Sequence, residues 1–371
     1  MDFEIEFLPV GDATKAGDAI VGRYGSNGQY AVTVIDGGTQ DSGDALVEHI
    51  KHYYGAETVV AHVISTHPDN DHASGLRRVL SELPVRELWI HGLWHHASDL
   101  LPFFANKLLT ADGLRKKIQA EYQIVDELIK LAQAQQASVY EPFRGANIGP
   151  FTVLSPTRYA YDRLVAQFRR TPEPDKTLLE AQNFYLGVAK QSILASVIER
   201  VTEKVAQWVD ERWEVELLKD GGTTAAENET SVVLWGDFGP TKALLTADAG
   251  VNALTWACDY AASQSIDVQT ATFVQVPHHG SRSNVGPQVL DRILGPKIAG
   301  ASDNRFGIVS APKDDENHPR KMVMNAFLRR GTPVRKTQGR RIRYYSPGMP
   351  VRTDEARAEP FGFFRKVEAY D

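Results

Sequence analysis

Apolar and polar residues alternate along several short segments, which is the pattern of half-buried β-strands. Residues 3–10 alternate in this way, and residues 30–35 and 59–65 are apolar, β-branched runs bounded by turn residues. The same criteria predict strands over residues 85–91, 151–154, 231–234, 243–246, 272–276, 308–309 and 341–345. Two of these strands flank the turn at residues 237–240, so we expect them to form a hairpin.

Helical spacing of apolar residues occupies much of the chain between these strands. It is found over residues 44–54 and 114–136, in a segment that starts near Ser74, and over residues 321–330. Both halves of the chain therefore combine β-rich segments with helices. This pattern predicts an α/β sandwich of two sheets packed face to face with helices on both flanks, in one domain over residues 1–371.

A long polar and helical stretch interrupts this pattern at about residues 158–220, and it includes a second amphipathic run near residues 193–218. We predict a helical insertion or lid here. A simple cover over one face of the sheet is the alternative. A protein partner could dock on this insertion, but neither that role nor an oligomeric state can be derived from the sequence.

Composition limits the function without identifying it. The chain has 42% hydrophobic and 24% charged residues, as globular proteins do, and its net charge of -6 gives no support for a protein that coats nucleic acid. Its one cysteine, Cys258, excludes an intramolecular disulfide and a zinc–thiolate cluster. No signal-peptide pattern and no apolar run of the ~20 residues that span a bilayer is found, so we expect a cytoplasmic protein without a membrane partner.

The strongest chemical signal is His67-Pro68-Asp69-Asn70-Asp71-His72, which follows a buried strand directly. A strand end holds the backbone in place, so the following loop can turn several side chains toward one point. Imidazole and carboxylate together suit Zn²⁺, Mn²⁺ or Fe²⁺. The alternative is a solvated turn in which Asp71 caps the next helix.

Two later segments favour the metal hypothesis. Residues 244–250 form an apolar strand that ends in Asp248, and residues 274–281 form a strand that ends in His278 and His279. Each feature alone is compatible with an ordinary turn before glycine. Three separate strand ends that each deliver metal-binding side chains are much less expected by chance.

These motifs resemble the metallo-β-lactamase superfamily and, more narrowly, the soluble hydrolase domain of the competence DNA-uptake protein ComEC. The resemblance rests on residues 66–72, 244–248 and 276–281, with Asn228 and Ser231 between them. Weaker matches occur at residues 11–12, 36–38, 317–319 and 336–339. It implies a four-layer αββα sandwich, with a helical insertion where the likeness stops. The channel part of the DNA-uptake protein has no counterpart, so transport is not implied.

The resemblance also implies roles for the motif residues. His67 and Asp69 would face one metal ion, and Asp71 and His72 the second. Asp248 would bridge the two ions. His279 would complete the second site, although His278 could exchange roles with it. The implied cofactor is Zn²⁺ or Mn²⁺, with one or two ions per chain.

The sequence departs from the superfamily's commonest pattern at two positions. Asp69 stands where histidine is usual, and the strand ending at Leu154 continues as Ser155-Pro156-Thr157 without the expected third imidazole. The first metal site is therefore expected to be weak or vacant. A harder ion such as Mn²⁺ becomes more suitable as carboxylate replaces imidazole.

Further residues are candidates for contacts with substrate. His91, His95 and His96 follow a strand near the metal loop, where one could line the site or replace the missing ligand; the alternative is an aromatic loop without such a role. Ser281, Arg282 and Asn284 follow the paired histidines in a turn that could hold an anion or be a simple loop. His318 is a candidate for a phosphate contact.

We expect hydrolysis by a metal-bound hydroxide, with Asp71 orienting the hydroxide and His278 or His318 protonating the leaving group. The leading substrate is a phosphodiester, including nucleic acid. The alternatives are a carboxyl-ester, lactone or β-lactam hydrolase, and a non-catalytic binding or effector module in a multi-protein system. Some basic residues could line a path for a nucleic-acid strand, with a scattered solvated surface as the alternative: Arg169, Arg170, Arg282, Arg320, Lys321, Arg329, Arg330, Arg340, Arg341 and Arg343.

Overall fold

The computed structural model describes residues 1–11, 17–187, 208–299, 305–315, 317–353 and 358–370. Two sheets of seven strands each pack face to face, and helices cover their outer surfaces. The predicted four-layer α/β sandwich is thereby confirmed. The first sheet has the spatial order β15 (Ile342–Tyr345), β1 (Asp2–Phe7), β2 (Ala19–Ser26), β3 (Gln29–Gly37), β4 (Val60–Ile64), β5 (Val85–Trp89) and β6 (Ser138–Tyr140).

The second sheet has the spatial order β14 (Val334–Lys336), β13 (Phe306–Val309), β12 (Phe273–Gln275), β11 (Lys242–Leu245), β10 (Val233–Asp237), β8 (Phe151–Ser155) and β7 (Asn147–Ile148). The hairpin of β10 and β11 is confirmed. The α-helices are α1 (Gln40–Tyr53), α2 (Asn70–Ala73), α3 (Leu76–Glu82), α4 (Ala97–Leu100), α5 (Ala111–Glu121), α6 (Gln123–Ala134), α7 (Arg158–Val165), α8 (Lys176–Ala181), α9 (Ala226–Glu229), α10 (Val251–Ser263), α11 (Pro287–Leu294) and α12 (Lys321–Arg329).

The alternation of β1 sets the layering of the molecule. Phe3, Ile5 and Phe7 lie in the apolar core between the two sheets, because successive side chains of a strand point to opposite faces. Glu4 and Glu6 therefore point to the other face of the sheet, and both are fully buried. Two further apolar cores lie between each sheet and its covering helices.

Glu4 and Glu6 are held in a group that we call the arginine cluster, formed with Arg23, Arg343 and Arg352. Arg352 donates to both carboxylates at 2.8 Å. Arg23 and Arg343 donate to Glu4, from Nε at 2.7 and 2.6 Å. Glu6 also accepts hydrogen bonds from His49 and Tyr54, each at 3.0 Å. Opposite charges at this distance offset the cost of burying the two carboxylates.

The carboxyl ends of several strands meet at one edge of the sandwich. In the first sheet β3, β4 and β5 are parallel neighbours, so their ends lie side by side. In the second sheet β11, β12 and β13 are parallel neighbours in the same way. A hydrogen bond from Val232 N to Thr66 O joins the two sheets at this edge. The loops after these strands carry the predicted metal ligands.

The described part of the predicted insertion at residues 158–220 contains both helix and strand. Helices α7 and α8 lie in its first part, whereas residues 208–220 contain β9 (Trp208–Asp210), which pairs with β16 (Lys366–Glu368). The prediction of helix there was wrong because Val209 pairs with Val367, a distant partner that local periodicity does not reveal. Most of the amphipathic run near residues 193–218 lies outside the described residues. No helix in the described ranges has the length and apolarity that crossing a bilayer requires.

Candidate metal centre

The loop after β4 contains Thr66 and His67 and leads into α2, which carries Asp71 and His72. Asp69 is the N-terminal cap residue of α2, although its side chain makes no capping hydrogen bond, and Asp71 lies in the first turn. The alternative in which Asp71 caps the helix is therefore wrong. His67 and His72 are both buried, and their ring centroids are 4.3 Å apart.

Asp36, at the carboxyl end of β3, fixes both of these histidines. Its Oδ2 accepts hydrogen bonds from Thr66 Oγ1 at 2.6 Å and from His72 Nδ1 at 2.9 Å. Since the Thr66 hydroxyl gives its proton to Asp36, its oxygen accepts from His67 Nδ1 at 3.0 Å. Nδ1 is thus a donor in both rings, and each Nε2 faces Asp248. Histidine ligands of metal ions are oriented in this way.

The second sheet contributes Asp248, after β11, and His279, after β12. His279 Nδ1 donates to the backbone oxygen of Ser310 at 3.0 Å, so this ring has its lone pair at Nε2. Asp248 is 3% exposed. The side chains of Asp71, His72 and His279 each place one ligand atom within 4.8 Å of the others.

The two carboxylate oxygens of Asp248 face different histidines. Oδ1 lies 3.3 Å from His72 Nε2 and 3.9 Å from His279 Nε2. Oδ2 lies 3.8 Å from His67 Nε2 and 3.6 Å from His278 Nε2. A carboxylate between two pairs of imidazoles has the arrangement expected of a bridging ligand. His278 and His279 therefore occupy opposite sides of Asp248 rather than alternative positions on one side.

The backbone explains how adjacent histidines reach opposite sides. Both have positive φ, 45° for His278 and 54° for His279, a conformation that non-glycine residues rarely adopt. Such strained residues occur preferentially at functional sites. Asn284 sustains this geometry: its Nδ2 donates to Asp248 O at 2.8 Å, which leaves its Oδ1 to accept from His278 Nδ1 at 2.8 Å.

Four ligand atoms of this group lack a hydrogen-bond partner within the described part of the chain: His67 Nε2, His72 Nε2, His279 Nε2 and Asp248 Oδ1. Leaving a buried polar atom unpaired costs roughly 1–3 kcal/mol, and native proteins contain few such atoms. We call these four residues the site cluster. Their unpaired atoms are the nitrogen and oxygen donors that Zn²⁺ and Mn²⁺ accept, so the residues fit the metal ion that the sequence predicts.

The charges of the site cluster also fit a bound cation. Burial raises the pKa of Asp248, but the facing imidazoles of His72, His278 and His279 hold it well below its usual range. Burial lowers the pKa of His67 far below 6.5 and that of His279 to about 4, so both rings are neutral near pH 7. Burial also lowers the pKa of His72, yet Asp248 and Asp36 raise it well above 6.5. These carboxylates favour a positive charge, which a proton or a metal ion supplies.

Asp69 is the predicted ligand that lies apart from this arrangement. Its two oxygens accept hydrogen bonds from Arg169 Nη2 at 2.9 and 2.7 Å. Burial raises the pKa of Asp69 to about 6, although Arg169 acts in the opposite direction. The carboxylate is therefore paired with a side chain that follows α7, within the predicted insertion.

The three histidines after β5 have different surroundings. His91 is buried against Phe143 and Tyr161, with ring centroids 4.6 and 4.3 Å away, and burial lowers its pKa to about 3. His96 contacts Glu141 at 2.8 Å, and His95 is exposed. None of the three lies within 4 Å of a site-cluster carboxylate among the described ion pairs. Their roles as substrate contacts or as a replacement ligand stay predictions.

The residues after the paired histidines also differ from one another. Asn284 is fully buried beneath the loop, where it orients His278. Arg282 donates to Ala369 O at 2.6 Å and lies over the Tyr370 ring, and Ser281 accepts a hydrogen bond from Ser283 N. Burial and internal hydrogen bonding favour a positioning role for Asn284. Substrate binding by Ser281, Arg282 and Asn284 stays a prediction.

His318 reaches the same neighbourhood through packing of the chain. Arg320 N donates to Gly280 O at 3.1 Å, and Pro319 lies so close to Gly280 that a Cβ at position 280 would come within 2.4 Å of it. His318 Nδ1 donates to Asp315 Oδ2 at 3.1 Å. Its predicted contact with phosphate is therefore compatible with its place beside the histidine loop.

Sequence reasoning missed two buried carboxylates that support the site. In the sequence, Asp36 belongs only to a turn that weakly matches the family at residues 36–38, and no signal marks Asp18. Asp18 Oδ2 lies 3.8 Å from His72 Nδ1 and accepts from Gln275 Nε2 at 2.8 Å. Burial raises the pKa of Asp18 to about 7. An Asp before two glycines suggested a turn, and only the approach of β3 to β4 reveals its contact with His72.

Several basic residues considered for a nucleic-acid path form ion pairs with buried carboxylates, and the side chains of Arg329, Arg330 and Arg343 are themselves buried. Pairing with a carboxylate allows an arginine side chain to be buried. These pairs are Arg329 with Glu211, Arg330 with Glu216, Arg341 with Glu6 and Arg343 with Glu4. Binding of nucleic acid by the basic residues stays a prediction.

Comparison with known proteins agrees with this geometry in part. Residues 27–151 match the sequence model of the family described as the Metallo-beta-lactamase superfamily. The matched segment contains the loop with His67, Asp69, Asp71 and His72 but ends before Asp248. The two-sheet architecture is consistent with the sandwich fold of that superfamily. Among curated protein sequences none matches the chain significantly.

The solved structures that show similarity to this chain are distant from it. A metal-dependent hydrolase candidate from Veillonella parvula has 11% identity and a TM-score of 0.36, with 91% of this chain and 98% of that chain covered. The metallo-beta-lactamase SMB-1 has 10% identity and a TM-score of 0.31, covering 78% and 86%. A metallo-beta-lactamase candidate from Thermotoga maritima has 12% identity and a TM-score of 0.28, covering 54% and 93%.

Proposed function

We propose that this chain, which carries the Metallo-beta-lactamase superfamily match over residues 27–151, is a metal-dependent hydrolase whose substrates are phosphodiesters. One observation carries the hydrolase part. Buried ligand atoms of His67, His72, Asp248 and His279 converge without hydrogen-bond partners among the described residues, and a divalent ion would satisfy them.

The ligand groups divide at Asp248. Asp71, His72 and His279 would hold one ion on the Oδ1 side, and His67 lies on the Oδ2 side, where a second ion would bind. A bound Zn²⁺ or Mn²⁺ supplies a Lewis acid, which lowers the pKa of water and polarises the scissile bond.

The protein's own side chains would complete the reaction. Asp71 is only half-buried, so its carboxylate can accept a hydrogen bond from the attacking water. His318, paired with Asp315 through Nδ1, can carry a proton at Nε2 and donate it to the leaving oxygen. His278 has a side chain that is 33% exposed and is oriented by Asn284, so its Nε2 can contact a phosphate oxygen or a metal ion.

The preference for phosphodiesters rests on two arguments. The motifs resemble the ComEC hydrolase domain, and the donor set combines three imidazoles with the carboxylates of Asp71 and Asp248, which Mn²⁺ as well as Zn²⁺ accepts. Two such ions would suit phosphoryl chemistry. The buried arginine pairs favour a small phosphodiester or a short nucleic-acid segment over a long basic path, since those guanidinium groups are already engaged.

The test is metal analysis combined with a choice of substrates. The purified chain is treated with a chelator and then supplied with Mn²⁺ or Zn²⁺. We expect bound metal by elemental analysis, and metal-dependent hydrolysis of bis-p-nitrophenyl phosphate. p-Nitrophenyl acetate and a chromogenic β-lactam serve as competing substrates. Turnover of these alone would contradict the phosphodiester assignment, and absence of bound metal with no rescue would overturn the hydrolase assignment.

A further inference from the structure

Arg169 binds Asp69, the residue expected to hold the first metal ion. It lies between α7 and α8, in sequence far from the ligand loop. Its Nη2 contacts both oxygens of Asp69 at 2.9 and 2.7 Å. Asp69 is the residue that the superfamily resemblance assigns to the first ion. The guanidinium therefore binds the carboxylate that this ion would need.

Arg169 is held in place from the protein side. Glu227 is 1% exposed, and its Oε1 accepts from the Arg169 backbone N at 2.7 Å and from Arg169 Nε at 3.2 Å. Tyr122 donates to the same oxygen at 3.2 Å. Glu227 is therefore fixed by three hydrogen-bond donors, and it holds Arg169 in a defined position. The Arg169 side chain is nevertheless 41% exposed, so it can be displaced toward solvent.

The guanidinium and a metal ion compete at Asp69 for physical reasons. A guanidinium hydrogen-bonded to both carboxylate oxygens uses the lone pairs that a metal would use. It also carries a permanent positive charge, which repels a divalent cation bound to the same group. Ser155 also stands where the superfamily often has a third histidine ligand. The affinity of the first site for a metal ion should therefore be lower still. On the Oδ1 side of Asp248, by contrast, Asp71, His72 and His279 offer three ligand atoms within 4.8 Å of one another.

We propose that Arg169 acts as a resident cation at the first metal position. It keeps Asp69 out of metal coordination, so the chain holds one tightly bound divalent ion, on the Oδ1 side of Asp248. A second ion binds only when Arg169 releases Asp69. This inference rests on the proposed metal-dependent function, because it concerns the same centre.

The experiment measures how many ions the chain binds and how tightly. Metal-free protein is titrated with Mn²⁺ in a calorimeter, and elemental analysis follows dialysis against a low concentration of Mn²⁺. The wild-type chain should retain about one ion, whereas Arg169→Met should retain about two and bind the second roughly 10-fold or more tightly, by the size of effect that ligand-orienting groups have. Arg169→Lys keeps the charge but loses the planar fork, so it should lie between them.

Two further variants separate competition from general disruption. Arg170→Met removes the neighbouring arginine, which donates to Glu121 O and not to Asp69, and should leave metal binding unchanged. Asp69→Asn combined with Arg169→Met should abolish the gain of the second ion. If Arg169→Met alone fails to fold because Glu227 is left as an unpaired buried charge, Arg169→Met with Glu227→Gln removes both charges and carries the same expectation.

The outcomes distinguish this inference from the proposed function. Two tightly bound ions in the wild type, or unchanged stoichiometry and affinity in Arg169→Met, would overturn the role of Arg169 even if phosphodiester hydrolysis persists. A wild-type chain that binds no metal would instead remove the proposed function itself. One tight ion in the wild type and a second in Arg169→Met support both.

Discussion

The arginine cluster and the site cluster both bury acidic side chains, but they differ in how completely their polar atoms are paired. Glu4 and Glu6 receive hydrogen bonds from arginines, His49 and Tyr54, and none of their oxygens is without a partner. Four ligand atoms of the site cluster have no partner within the described residues. A cluster whose buried polar atoms are all hydrogen-bonded needs no ligand, whereas a cluster with unpaired ligand atoms is expected to bind one.

The largest contrast should come from Asp248→Ala in the site cluster. Asp248 faces His67, His72, His278 and His279, so its loss removes the group that links both sides of the centre. We expect metal-dependent turnover to fall by about 10³-fold or more, the scale of losing an essential electrostatic group. Hydrolysis of bis-p-nitrophenyl phosphate measures this. The melting temperature of the chelator-treated variant should stay near that of the chelator-treated wild type. A large fall would mean that Asp248 is needed for folding stability, as the arginine cluster is.

Arg352→Met tests the arginine cluster. Arg352 donates to Glu4 and Glu6, and its side chain is only 5% exposed. Its loss leaves buried carboxylates without part of their counter-charge, so the free energy of unfolding should fall by about 3–5 kcal/mol. Urea denaturation gives this value. Metal stoichiometry should not change, and a coupled loss of bound metal would mean that the two clusters are not independent.

Asn284→Ala should produce an intermediate effect on the site cluster. Asn284 orients His278 and donates to the backbone at Asp248, but it offers no atom to the metal positions described. Removing such a ligand-orienting group typically costs about 10–100-fold in metal affinity or activity. Competition with a chromogenic chelator measures the affinity. Asn284→Asp retains the acceptor for His278 and should lose less; equal losses in both variants would exclude this positioning role.

Glu229 provides the most specific test, because it is a buried carboxylate whose described partners are amides rather than arginines. It accepts hydrogen bonds from Ala253 N at 2.8 Å and from Asn252 Nδ2 at 3.1 Å, at the start of α10. Burial raises its pKa from 4.5 to about 7, against the effect of these hydrogen bonds. The folded state therefore binds the proton more tightly, so this group's contribution to stability falls as pH rises from 4.5 to 7.

Glu229→Gln removes that titration. The variant should gain stability relative to the wild type as pH rises through this range, by roughly 3 kcal/mol at pH 8. Urea denaturation at pH 5 and pH 8 measures the difference. A gap between the two proteins that does not widen from pH 5 to pH 8 would show that the amide partners alone stabilise the charged form of Glu229.

Sequence reasoning predicted the sandwich and the ligand loops because both follow from local pattern. Strand alternation places Phe3, Ile5 and Phe7 inside, and residues that follow parallel strands must meet at one edge. This reasoning predicts that four residues are neighbours: His67, His72, Asp248 and His279. The pairing of β9 with β16 was not, since it joins segments far apart in the chain.

The parts of the site that escaped prediction depend on contacts of long range or on special backbone geometry. Arg169 meets Asp69 across 100 residues, and no local pattern connects them. From the sequence, His278 and His279 are alternatives for one ligand position. In the structure, positive φ angles at both residues place their rings on opposite sides of Asp248. Asp36 and Asp18 were missed because a carboxylate beside a turn has no distinguishing sequence signal.

The contact between Gly280 and Pro319 has a consequence for how this site can change during evolution. A side chain at position 280 would meet Pro319 Cβ at 2.4 Å, and Gly280 has a φ of 84° that also disfavours other residues. Direct packing therefore holds the loop with the paired histidines in a fixed position relative to the segment with His318. In homologous chains we therefore expect positions 280 and 319 to vary together or not at all, so that His318, the proposed proton donor, keeps its place beside the proposed metal centre.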